Sequence, residues 1–232
     1  MKQYLPLLKA CPIFDRMNED EMLRMLSCLD AKIIPYERGR IILHQGDEPR
    51  CFGVVLKGIV HVMRIDDEGN HTIVAPVEQG DLFGETFSCA GAKALPVSVA
   101  AAQDCEILLL EHARVITGCR NGCMAHSLLV TNLMRIIAQK NLMINEKLSI
   151  ITRRTTREKL MAYLRAQQRR TGSKRFSIPF DRQALSDYLV VERSAMCAQL
   201  SRLKKEGLID YCKNEFEILQ PMSEAHKEVH HG

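Results

Sequence analysis

The sequence predicts an α+β chain: an all-β barrel or sandwich, then one long helix, then a small helical unit closed by a hairpin. Three observations carry this reading. Short β-like runs separated by turn residues fill positions 31–110. Residues 124–151 hold helical spacing with no Gly or Pro. The charge also changes sign along the 232 residues: 13 Lys/Arg stand against 17 Asp/Glu in 1–126, and 19 against 11 in 127–232.

NEDEMLRMLSCL, 18–29, reads as a short helix with Asn18 as cap and acids in the first turn, where the dipole favours them. Seven strand-like runs follow: AKIIPY, RIILH, CFGVVL, IVHVMRI, HTIVAPV, PVSVAA and CEILLL. ERG, QGDEP, KG, DDEGN and EQGD supply turns between them, with Gly39, Gly46, Gly58, Gly69 and Gly80 placed for positive φ. HVMRIDDEGNHTIV is the best hairpin candidate. Glu111–Cys119 predicts one or two helical turns ended by Asn121-Gly122.

The long helix spans about 40 Å at 1.5 Å per residue. Val130, Leu133, Ile137, Ile144, Leu148 and Ile151 form its stripe, widened by Leu129, Ile136 and Met143. That stripe suits the β domain, a twin helix, or both. Lys140 interrupts the seam. Next, Thr155 and Glu158 fit a capping box, and Leu160, Met161, Tyr163 and Leu164 give the following helix its apolar side. FSIPF is extended, Asp181 caps RQALSDYL, and ERSAMCAQLSRLKKEG closes on Gly207 at the C′ position. LIDYCKNEFEIL reads as a hairpin turning at Lys213-Asn214, and the polar tail from Pro221 as frayed.

Two helices, a short turn and a hairpin make a winged helix-turn-helix. Its second helix can enter the major groove, which is about 12 Å wide. Ala195, Met196, Leu200 and Leu203 are expected to face the core, and Arg193, Ser194, Cys197, Ala198 and Ser201 the opposite side. Arg193 is the expected base reader, with Ser194, Ser201 and Gln199 beside it. Arg182, Arg202, Lys204, Lys205 and Lys213 are expected to reach phosphates. Within 152–213 cations exceed anions by nine, which favours a polyanionic partner through counterion release. Glu192 is a poor cap.

Composition excludes other classes. Hydrophobic residues make up 46% and charged residues 26%, enough to bury a core. No run approaches the roughly 18 apolar residues of a membrane span, and the first residues make a poor secretory signal; a cytoplasmic protein is expected. Nine scattered cysteines include no CxxC, and Cys119 and Cys123 alone lie close together; most read as small buried side chains. A cupin-type metalloenzyme would need converging His and Glu ligands, whereas His44, His61 and His71 lie on different strands with no His-x-His pair. No GxSxG, Walker loop or HExxH occurs, so no enzymatic activity is expected. A β-roll interaction module whose basic tail merely solubilises is the other alternative.

RGRIILHQGDEPRCFGVVLKGIVHV, GDLFGE, TTREKLMAYL and LSDYLVVERSAM…LSRLKKEGLI, in this order and spacing, resemble the CRP/FNR family of bacterial transcription regulators. The resemblance runs from about residue 10 to 220. It implies a β-roll (a double-stranded, cyclic-nucleotide-binding-like β-helix) over 1–123, a dimerisation helix over 124–152 and a winged helix-turn-helix over 153–232. It also implies a homodimer on a near-palindromic DNA operator, a small-molecule effector in the β-roll, and RNA polymerase as partner if the protein activates.

Departures from the family pattern are informative. In its cyclic-nucleotide-binding members a Gly-Glu pair binds ribose and an Arg-Ser pair binds phosphate. Gly84 and Glu85 match the first pair, but the second falls on Leu95 and Pro96, which cannot hold an anion. The base-facing positions of the long helix fall on apolar Met143 and Ile144. Cyclic AMP is therefore not the expected ligand. No cofactor is assigned; Gly84, Glu85, Thr86, Cys89, Met143 and Ile144 outline the expected effector pocket. The iron–sulfur members' N-terminal cysteine cluster and the haem members' Cys and His are missing, and Cys89, Cys119 and Cys123 are candidate redox sensors. The family's Glu and Arg base readers fall on Ser194 and Ala198, so a non-standard operator is expected.

Overall fold

A computed structural model of the chain describes residues 1–65, 71–117 and 124–219. It divides into two compact units, Met1–Lys140 and Asn141–Gly232.

The first unit opens with two helices, α1 (Leu5–Ala10) and α2 (Glu19–Cys28). The expected cap forms at α2: the Asn18 side chain accepts from the Glu21 N–H at 2.9 Å, and the Glu21 carboxylate accepts from the Asn18 N–H at 3.0 Å. Strands β1 (Lys32–Tyr36), β2 (Ile41–Leu43), β3 (Cys51–Lys57), β4 (Val60–Ile65) and β5 (His71–Val77) follow. Then come β6 (Leu82–Phe83), α3 (Glu85–Cys89), β7 (Ser98–Ala101), β8 (Cys105–Glu111) and α4 (His112–Thr117). All seven strand-like runs are strands. The DDEGN turn, Cys119, Cys123 and the tail lie outside the described residues; the strands flanking that turn pair antiparallel, Val60 opposite Val77.

Two four-stranded antiparallel sheets, ordered β1-β8-β3-β6 and β2-β7-β4-β5, make the β-roll. Val55, Val60, Phe83, Val99 and Ile107 fill the space between them. The two-residue β6 escapes a periodicity reading because it is too short to alternate. It is held where Phe83 faces Gly53: a Cβ on Gly53 would fall 2.2 Å from the Phe83 ring. The outer face of the first sheet packs against α1, α2 and the long helix α5 (Met124–Ile151) through Leu8, Phe14, Met22, Phe52, Leu108, Leu129 and Leu133. Buried Asn132 ties α5 down by donating to the Ile13 carbonyl at 3.2 Å and the Asp15 carbonyl at 2.9 Å.

The second unit holds the last turns of α5, then α6 (Thr156–Thr171), β9 (Arg175–Ser177), α7 (Arg182–Leu189), α8 (Arg193–Lys205) and the hairpin β10 (Ile209–Cys212) and β11 (Glu215–Ile218). The Thr155–Glu158 capping box forms. β9 adds to the hairpin as a third strand, giving the order β10-β11-β9. Leu160, Leu164, Leu185, Leu189, Met196, Leu200, Leu203, Phe216 and Ile218 make one core. Tyr163, Phe180 and Tyr188 form one aromatic cluster, with the Tyr163 centroid 6.1 Å from Phe180 and 5.3 Å from Tyr188.

Two expectations about α8 need correction. Ala195 is exposed instead of facing the core, and Cys197 is half-buried and packs against that core instead of joining the outer face. Met196, Leu200 and Leu203 fill the apolar edge, with Ala195 and Cys197 one 100° step to either side of Met196; the core reaches the Cys197 flank and leaves the Ala195 flank open.

Gly58 carries a steric prediction. Its φ is 88°, and a Cβ there would lie 2.7 Å from the Asp104 carbonyl oxygen. Gly39 has a similar φ of 84° with open space around it. Gly39→Ala is expected to cost the left-handed penalty alone, about 1–2 kcal/mol. Gly58→Ala is expected to cost about 1–3 kcal/mol more, for the overlap. Urea unfolding of the two variants checks the difference; equal losses would refute the crowding at Gly58.

Candidate nucleic-acid interface and effector cradle

The helix-turn-helix is set by its caps and its turn. The Asp181 side chain accepts from the Ala184 N–H at 2.8 Å and starts α7. α7 stops at Val190, which takes φ 53°. A β-branched residue in this region is strained, and the turn is braced: the Lys159 ammonium donates to the Leu189 carbonyl at 3.3 Å and the Val190 carbonyl at 3.2 Å. α8 begins at Glu192 without a side-chain cap, as expected from its sequence.

Met196, Leu200 and Leu203 are buried, which turns Ser194, Ala195, Ala198, Ser201, Arg202 and Lys205 to solvent; Arg193 and Lys204 are also exposed but flank the buried edge, three residues before Met196 and four after Leu200. The Ser201 hydroxyl donates to the Cys197 carbonyl at 3.1 Å. Gln199 is half-buried, with its Oε1 enclosed and without a hydrogen-bond partner among the described residues. Arg193 and Lys205 form no ion pair among the described residues.

Other expected phosphate contacts have internal partners. The Lys204 ammonium lies 2.5 Å from the Asp210 carboxylate, and that hydrogen bond raises its pKa while lowering that of Asp210. Arg182 donates to the Lys213 carbonyl at 2.8 Å and stacks over Tyr211 and Phe216, at 5.1 and 5.3 Å from the ring centres. Lys213 is exposed at the hairpin turn with φ 51°.

In the first unit, β6 leads into α3 through Gly84, whose φ of 80° makes the sharp entry. Glu85 follows and is 2% exposed. Its carboxylate is answered from α5: the Lys140 ammonium lies 2.5 Å from Glu85 Oε1 and 3.1 Å from the Leu82 carbonyl oxygen. Thr86 donates to the same carboxylate at 3.3 Å. Lys140 was legible only as a break in the apolar seam; nothing in its spacing gives its partner. Cys89 is half-buried, and burial, then the Glu85 charge, pushes its thiol pKa up. A raised pKa disfavours the thiolate, the more reactive form.

Leu95 is buried, its N–H donating to the Asp47 carbonyl and its own carbonyl accepting from Gly46. Pro96 is exposed. Met143 and Ile144 belong to the second unit, where both side chains are exposed. Among the described residues no three His, Cys, Asp or Glu side chains converge on a metal-sized site, and no helix is long and apolar enough to cross a membrane.

Comparison with known proteins follows the same division. The family model of the cyclic nucleotide-binding domain matches residues 33–121. That of the Crp-like helix-turn-helix domain matches residues 158–223. Human cGMP-dependent protein kinase 2 is 27% identical over 86 residues, 36% of this chain and 11% of the kinase; the chain spans no more than a fifth of the curated relatives it matches. Among solved structures, DNR from Pseudomonas aeruginosa is 18% identical with a TM-score of 0.50, covering 95% of both chains. The c-di-GMP-responsive global regulator CLP of Xanthomonas campestris is 14% identical with a TM-score of 0.52, covering 88% of this chain and 100% of its own. At these identities the likeness is one of fold. A cyclic nucleotide-binding β-roll, a long helix and a Crp-like helix-turn-helix in one chain place it in the CRP/FNR family of DNA-binding transcription regulators.

Proposed function

We propose that the chain is a sequence-specific transcription regulator that binds DNA as a homodimer, with an effector in the β-roll modulating binding. The single observation that carries this is the outward face of α8, opposite buried Met196, Leu200 and Leu203 in a module where cations exceed anions by nine across 152–213. A helix so fixed and so charged suits the major groove. Arg193 reads a base, Ser194 and Ser201 assist, and Arg202, Lys205 and Lys213 meet phosphates. Two-fold symmetry calls for a near-palindromic operator. The reaction space is the cytoplasm, with RNA polymerase as partner if the protein activates.

Dimerisation is supported by α5. Leu142, Met143, Ile144 and Leu148 are each more than half exposed. An exposed apolar run of this kind on one helix is what a twin helix would cover.

The effector is not cyclic AMP. Leu95 is buried where the family's arginine would stand, so the phosphate would lose its counter-charge. Lys140 already occupies the Glu85 carboxylate that would receive ribose hydroxyls. Titration with radiolabelled cyclic AMP is expected to give no saturable micromolar binding.

Three tests follow. Arg193→Ala is expected to cost about 1–3 kcal/mol and blur one operator position, while Lys205→Gln weakens all duplexes alike and lowers the salt slope by about one. Binding isotherms against a selected operator across a salt series separate the two; an intact sequence preference in Arg193→Ala would refute its role. Ile144→Glu is expected to give monomers in sedimentation and to lose operator affinity together; a dimer that persists would refute pairing along α5. Lys140→Met leaves a buried carboxylate uncompensated and is expected to destabilise the first unit by about 1–3 kcal/mol. Adding Glu85→Gln restores most of that loss, and no recovery in the double variant would refute the pair's structural weight.

A further inference from the structure

The outward face of α8 also specifies what it can read. Its rotation is fixed by the three buried residues on the opposite side. At 3.6 residues per turn, Ala198 lies at the middle of the exposed face. Ser194 and Ala195 stand one turn before it, Ser201 and Arg202 one turn after, and all five are exposed. Ala195 and Ala198 offer only methyl groups. The hydroxyl proton of Ser201 is directed to the Cys197 carbonyl at 3.1 Å. Apart from Arg202 at its C-terminal side, the face around Ala198 therefore lacks any side chain able to make a two-pronged contact with guanine or adenine. The long cationic side chains on this face, Arg202 and Lys205, sit toward its C-terminal end, while Arg193 in the first turn lies beside the buried edge, three residues before Met196.

Short side chains let the helix backbone come close to the base edges, and the apolar group exposed on a major-groove edge is the C5-methyl of thymine. We infer that α8 reads thymine methyl groups at the centre of each operator half-site, with Ala195 and Ala198 as specificity-determining residues. Arg202 then borders the thymines on the C-terminal side of the face. The inference rests on the DNA-binding reading above and narrows it to one class of operator: duplexes whose half-site core carries thymines on the strand under the two alanines.

The test uses the full chain. A duplex is selected from a random pool, then resynthesised with each thymine in turn replaced by deoxyuridine, which removes the methyl and preserves base pairing. One methyl is worth about 0.8 kcal/mol, so each core replacement is expected to weaken binding about fourfold, while replacements outside the core leave affinity unchanged. On the same duplexes Ala198→Ser is expected to bring the ratio of thymine to deoxyuridine affinity down toward one, whatever its absolute affinity. The DNA-side series decides alone if that variant does not fold. A selected operator that binds equally well with every core thymine replaced overturns the methyl reading and leaves sequence-specific binding standing. A pool that yields no enriched sequence overturns the sequence-specific regulator itself, and this inference with it.

Discussion

The C-terminal unit depends on how α8 is pinned. Three side chains, Met196, Leu200 and Leu203, anchor it to a core shared with Leu160 and Leu164 of α6, Leu185 and Leu189 of α7, and Phe216 of β11. Fully burying each contributes about 1.5–3 kcal/mol. A one-residue rotation would bring Cys197, Ser201 and Lys204 into those places and forfeit the whole contribution. The core thus fixes which side chains face outward, although none of its members is a candidate to touch DNA. Lys159 adds to this by satisfying carbonyl groups at the strained Val190 turn, which sets where α8 begins.

The same unit shows why a count of cations overstates the field available to a partner. Arg157 makes a two-pronged pair with Glu206 at 3.0 and 2.6 Å, and Arg175 meets Glu217 at 2.9 Å. Lys204 is held by Asp210, and Arg170 by Glu146. Exposed pairs of this kind are weak, so a phosphate can compete for Lys204. Arg182 differs: with its guanidinium stacked on two rings and bonded to a carbonyl, moving it would loosen the hairpin. Its work is first to hold the wing in place.

Much of this architecture was legible because local chemistry fixes it. Asn18, Thr155 and Asp181 cap the helices their side chains suggest, and Gly207 closes α8 with φ 70°. The strands of the β-roll declare themselves through the turns between them. What escaped is non-local. β6 exists because Phe83 finds the space left by Gly53, a pairing 30 positions apart that no window of sequence contains. Ala195 and Cys197 were misplaced because small side chains carry too weak a hydrophobic signal to fix the rotation of a helix. Lys140 looked like a defect in an apolar seam, and only the fold reveals its carboxylate.

That last case bears on how a motif is read. Gly84-Glu85 retains the form of a ribose-binding pair, and Gly84 keeps the left-handed conformation that starts α3. Burying a carboxylate to 2% exposure is costly unless polar partners reach it. In a nucleotide-bound roll the ligand's hydroxyls would be among those partners; here an ammonium from the chain is. Lys140 and Thr86 both donate to Glu85 Oε1, so a ligand hydroxyl aimed at that oxygen would compete with donors the chain itself supplies.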